Sequence, residues 1–149
     1  MNIFVTSECP AASAQYLDDK RVIKMILESA QILSTVIHQR GGVGPYKPTH
    51  QNHPCTVWAG ENQGNYLWLY AHFVSLCNQY YIRYMSIHKC SQYSRLFRES
   101  IELLPEGELT EFVNCTTYKE MPTFEAYEKY LEDKWAIDKR KPTWYREVR

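Results

Sequence analysis

The sequence predicts an all-α fold, a compact single-domain helical bundle of about four main helices with one short amino-terminal strand or arm. Three observations carry this expectation. Residues 18–33, "DDKRVIKMILESAQIL", set apolar and polar side chains at helical spacing; Phe124, Tyr127, Leu131 and Trp135 repeat with the same period; and "GGVGPYKP", "GENQG" and "PEG" punctuate the chain where helices would end. A length of 149 residues suits one domain, 1–149, closed by a basic tail.

Residues 2–6, "NIFVT", read as a short strand or extended arm. A first long helix is expected from a cap at about Ser13 to about Arg40, where three glycines and two prolines break it. The loop "THQNHPC" follows, then a short helical turn around Val57 and Trp58. An aromatic helix runs from about Asn65 to Tyr84 and a third covers about Ser91 to Leu104. "LTEFVNCTTYKEMP" reads as loop with at most one helical turn, and a last helix starts at Thr123 as its cap and reaches about Asp138.

Charge is unevenly spread. Residues 1–98 carry 9 Lys and Arg against 5 Asp and Glu, residues 99–133 carry 2 against 10, and residues 134–149 carry 6 against 2, so a neutral chain has basic ends and an acidic segment between them. Basic ends can contact phosphates while the acidic segment faces away, or the charges can simply solvate helix faces. Five cysteines without a close pair argue for free thiols in a reducing compartment, the cytoplasm. No stretch approaches the roughly 18 apolar residues of a membrane span, and "MNIFVTSECPAAS" lacks the pattern of a secretory signal.

The first long helix has a peculiar distribution of side chains. Lys20, Arg21, Lys24, Glu28, Gln31, Thr35 and His38 share one polar arc of about 100°, while apolar residues fill about 220°. A helix wrapped so widely is buried, and its polar stripe then lines a cleft. Glu28 could orient or deprotonate water or stabilise a cationic sugar, and Lys20, Arg21 and Lys24 could bind phosphate. The plainer alternative is an exposed face laced by a Lys24–Glu28 ion pair.

Two further constellations stand out. In "THQNHPC" and "IHKC", residues His50, His53, Cys55, His88 and Cys90 are metal-ligand types, but they lack the regular pairs of zinc motifs, so no metal is expected and His53 reads as an acid/base or hydrogen-bonding group. "KPTWY", residues 141–145, follows a basic run; Trp144 and Tyr145 either stack on a base or lock the tail onto the core.

Taken together, "LDDKRVIKMILESAQIL", "NHPCTVWA", "NYLWLYAHF", "RYMSIHKC", "MP", "YEKYLEDKW" and "RKPTWY" resemble a family of small proteins, common in bacteriophages, grouped with the pyrimidine-dimer DNA glycosylases. The resemblance spans almost the whole chain. To the ultraviolet-repair endonuclease V itself it consists of an all-helical plan, a charged first long helix and the closing residues 141–145. In that enzyme the amino-terminal amine attacks the sugar carbon, a first-helix Glu stabilises the reaction and neighbouring arginines grip phosphates. By position, the resemblance implies the Glu role for Glu28, with Asp19 as rival, and the phosphate role for Lys20, Arg21 and Lys24.

The chain opens Met1-Asn2, and a bulky second residue keeps an initiator Met in place, so hydrolysis is the expected route, with Glu28 or Asp19 activating water against C1′. A lyase route would need Lys20 or Lys24 as the amine, and the carboxylate beside Lys24 disfavours it. An extruded base would stack on Trp58, Trp68 or Trp144 and be read by Asn52 and His53, with Gln31, His88, Lys89 and Tyr145 completing the binding set. The expected function is a DNA N-glycosylase acting on a damaged or modified pyrimidine in double-stranded DNA, without a cofactor. Its alternatives are an enzyme acting on a free nucleotide and a noncatalytic binding protein.

Overall fold

A computed structural model describes residues 2–145, which form six α-helices. These are α1 (Pro10–Tyr16), α2 (Asp19–Gln39), α3 (Pro54–Ala59), α4 (Gln63–Tyr84), α5 (Ser94–Glu99) and α6 (Thr123–Ile137). Short 3-10 turns, Lys89–Tyr93 and Ser100–Leu103, flank α5, so the expected third helix is a composite of three pieces. The described residues include no strand, and no described helix is long and apolar enough to cross a membrane.

α2 and α4 form the centre. Val22, Met25, Ile26, Ala30, Ile32, Leu33, Val36 and Ile37 of α2 are buried, as are Tyr66, Leu69, Phe73 and Leu76 of α4. Each such large side chain contributes roughly 1.5–3 kcal/mol by leaving water, which far outweighs the propensity cost of the β-branched residues in α2. α4 starts cleanly because the Asn62 side chain accepts from Asn65 N–H, and α2 ends where Gly41 takes a left-handed φ of 88°.

The start of the chain departs from expectation in two ways. Residues 2–6 are an arm without regular structure, buried along its length with Phe4 at a left-handed φ of 56°, and Ser13 ties it down: its hydroxyl donates to Phe4 O and accepts from Thr6 N–H. Ser13 is thus a mid-helix clasp for the arm, not a helix cap. The expected first helix is also two helices, because Leu17 and Asp18 are extended. The break is compensated: the Leu17 carbonyl, which a continuous helix would occupy, accepts from Arg83 Nη1 at 2.6 Å. At the other end, Thr123 is the first residue inside α6 and makes no side-chain cap.

After α6 the chain crosses back over the start of α2. Thr143 O accepts from Asp19 N–H at 2.8 Å, Thr143 Oγ1 donates to Asp19 Oδ2 at 2.7 Å, and Tyr145 N–H donates to Asp19 Oδ1 at 2.9 Å. Trp144 packs edge-on against Trp135 and donates to Tyr16 O. Between α5 and α6, residues 105–122 wrap irregularly past α4; a Cβ on Gly64 would lie 2.5 Å from Leu109 N, so only glycine allows that approach.

Candidate functional site

Midway along α2, one wall of the molecule opens into a cavity of about 740 Å³. Its lining combines Ile23, Lys24, Leu27, Glu28 and Gln31 of α2 with His50, Tyr80, Ile87, His88, Lys89 and Cys90. The Glu28 side chain is 15% exposed, whereas Lys24, 4.0 Å away and one turn earlier, is 69% exposed. A carboxylate is therefore held low in the cavity beside an exposed cation. Ile23, Leu27 and Ile87 stay substantially exposed and give the mouth an apolar wall.

His88 in the cavity wall and His53 nearby are shifted towards the neutral form. Burial pushes His88 below the ordinary histidine range, and Lys89 adds to the shift. His88 also accepts from Cys90 N–H at 3.1 Å, which orients its ring at the start of the 3-10 turn. His53 does the same at the start of α3, accepting from Cys55 N–H at 3.1 Å. Burial lowers His53 as well, while the Glu28 carboxylate acts in the opposite sense and so lies within electrostatic reach.

Other predicted residues lie elsewhere. Asp19 is buried against Arg83 at 3.1 Å and carries the hydrogen bonds from Thr143 and Tyr145, so it belongs to the junction between α2, α4 and the tail. Arg21 is paired with Asp138 at 2.9 Å and Asp18 at 3.3 Å. Lys20 is exposed and lines a second cavity of about 260 Å³ with Arg140 and Lys141, next to the first through the shared Ile23. Asn52 is exposed in the turn before α3.

The aromatic side chains expected to stack on a base are largely engaged in packing. Trp58 is 2% exposed among Trp68 and Phe112, and Trp68 is buried with its indole N–H donating to Glu8 O. Both indoles are thus packed in the core, not displayed in the cavity wall. Tyr145 donates its hydroxyl to Gln79 Oε1 and lies under the Arg83 guanidinium at 4.3 Å, so with Trp144 it locks the tail. Thr35 and His38, the last members of the polar stripe, bind the carbonyls of Thr49 and Tyr46 and fix the loop that carries His50.

Residues the sequence reading did not single out include the cavity wall of Ile23, Leu27, Tyr80 and Ile87, and Arg83 in the junction. His50 and Cys90, weighed only as metal-ligand types, also line the cavity. The metal-ligand types fall into a different grouping from the one their spacing suggested. His53, Cys55 and Cys115 bring their ligating atoms within 4.8 Å of one another, whereas Cys90 Sγ lies against the Tyr46 hydroxyl at 3.1 Å.

The family model for pyrimidine dimer DNA glycosylase matches residues 1–93, a span that holds every residue lining the larger cavity. No curated protein and no solved structure matches the chain.

Proposed function

The chain belongs to the pyrimidine dimer DNA glycosylase family, and we propose that it removes a damaged or modified pyrimidine from double-stranded DNA at the sugar C1′, with Glu28 as the carboxylate at the reacting centre. One observation carries the assignment to Glu28: it is the carboxylate of the cavity lining, held low beneath Lys24 and facing an apolar mouth. Breaking a glycosidic bond builds positive charge on the sugar, and a fixed carboxylate in a partly dehydrated site stabilises that charge. In the hydrolytic form, a water oxygen bonds to C1′, the C1′–N bond breaks with its electron pair leaving on the base, and Glu28 accepts the water proton.

The remaining parts of the cavity suit a nucleotide. Its volume of about 740 Å³ accommodates an extruded nucleotide, and Tyr80, Ile87, Ile23 and Leu27 supply apolar contact for a base and sugar. Lys24 and Lys89 at its edge, followed by Lys20, Arg140 and Lys141 around the second cavity, form a track of cations for the phosphate backbone. Gln31, neutral His88 and His50 are the polar groups placed to read a base edge.

A second reading, imine formation by the amino-terminal α-amine, is favoured by the course of the buried arm. Asn2 and Ile3 are buried, Ile3 N–H faces the Cys55 sulfur, and Cys55 adjoins His53, which feels Glu28. Labelled duplexes, untreated, ultraviolet-irradiated or carrying modified pyrimidines, separate the routes. Strand cuts that require alkali support hydrolysis; cuts without alkali, together with a covalent complex trapped by borohydride, support the amine. No cut on any duplex refutes base removal from DNA and leaves the free-nucleotide and binding-protein readings.

A further inference from the structure

A second chemically distinctive cluster lies behind the cavity. His53 and Cys55 flank Pro54 at the start of α3, and Cys115 arrives from the irregular segment between α5 and α6. Cys55 is buried and Cys115 half-buried, and their sulfurs are 3.6 Å apart. We infer that His53, Cys55 and Cys115 form a binding site for a divalent metal ion of the zinc type, with the fourth position taken by a solvent-derived ligand.

The donor set and the spacing both favour this. Two thiolates and an imidazole are the ligands zinc prefers, and a tetrahedral ion with Zn–S bonds of about 2.3 Å holds its two sulfurs about 3.8 Å apart. The observed 3.6 Å is close to that value, and the imidazole is within 4.8 Å of both sulfurs. A disulfide would need about 2.05 Å. Charge also balances: a divalent ion displaces one proton from each thiol, leaving a neutral site suited to partial burial.

Neighbouring groups also hold the Cys115 backbone in place. The Tyr127 hydroxyl accepts from Cys115 N–H at 3.1 Å and donates to Val113 O at 2.7 Å. Coordination exchanges the Cys55 N–H bond to His53 Nδ1 for a metal–imidazole bond. The bound ion would fasten residues 105–122, which lie outside the family-matched span, to α3 and the buried arm, and would keep His53 neutral near Glu28.

The test is a cobalt(II) titration of the reduced full-length protein, followed by zinc. The expected result is one cobalt per chain, a near-ultraviolet thiolate-to-cobalt charge-transfer band, loss of that band on adding zinc, and release of two protons per ion. Cys115→Ser, checked for folding by far-ultraviolet circular dichroism, should lose most of the band, and His53→Ala should weaken binding at least tenfold. Cys77→Ser and Cys90→Ser should leave both unchanged. If Cys55→Ser does not fold, Cys115→Ser and His53→Ala decide alone. Absence of the band in the wild type, its survival in Cys115→Ser, or a Cys55–Cys115 disulfide in the isolated protein would overturn the inference.

Discussion

At the first turn of α2, Asp19 and Arg21 are enclosed by partners: Arg83 from α4, Thr143 and Tyr145 from the tail, and Asp138 from the end of α6. One to three turns later Lys24, Glu28 and Gln31, which share the polar stripe with Arg21, face a cavity instead. Side-chain chemistry is similar at both ends, although Asp19 itself lies off the stripe. What separates them is their surroundings: the first turn packs against other elements, whereas Lys24, Glu28 and Gln31 line a cavity. Charges consumed by other elements hold the fold together, whereas charges turned towards a cavity can meet a ligand.

The comparison can be broken most forcefully at the anchored end. Arg83→Ala removes the buried cation that serves Asp19, Leu17 O and Gln15 O together, and should cost about 3–5 kcal/mol in urea unfolding. Glu28→Gln, matched in size, should change unfolding by less than about 1 kcal/mol. Equal losses would show that Glu28 is structural too.

Acid sharpens the contrast from another direction. Burial drives His72 down to about 4, where it sits stacked on Trp68 with Nδ1 against Pro10 O and Nε2 without a partner among the described residues. The unfolded chain takes up this proton near the ordinary histidine value while the folded chain refuses it until about pH 4, so stability should fall as pH drops through that window. The total is about 3 kcal/mol, and His72→Phe should flatten the slope. Chemical denaturation at stepped pH values reads both.

The smallest effects belong to the exposed cations. Lys24→Ala and Lys89→Ala should each weaken duplex binding by about 1 kcal/mol and reduce the salt dependence of log K by about one unit, with no effect on unfolding. A wild-type salt slope already near zero would instead favour a free nucleotide as the ligand.

Much of this division was hidden in the sequence. The stripe itself was legible because helical period needs only local spacing, and so were the glycine stop after α2 and the aromatic helix α4. The partners of Asp19 are not legible: Arg83 lies 64 residues from it, Thr143 lies 124 away, and neither carries a local signal. For the same reason Cys115 could not be matched with Cys55, 60 residues earlier. The break at Leu17 carries no glycine or proline to mark it, and the Arg83 side chain that satisfies the opened Leu17 carbonyl lies 66 residues away. Trp58 looked like a stacking platform because aromatic content alone does not distinguish core from surface.

The most direct measurement is the single-turnover rate of base release from an ultraviolet-irradiated labelled duplex by Glu28→Gln and Asp19→Asn, each expressed per folded molecule. Glu28→Gln should lose about 10²- to 10⁴-fold while remaining folded, and Asp19→Asn should be less stable but stay within about tenfold of the wild-type rate. A Glu28→Gln protein that releases base at the wild-type rate, or a folded Asp19→Asn protein that loses as much as Glu28→Gln, would contradict the division of α2 into an anchored end and a catalytic one.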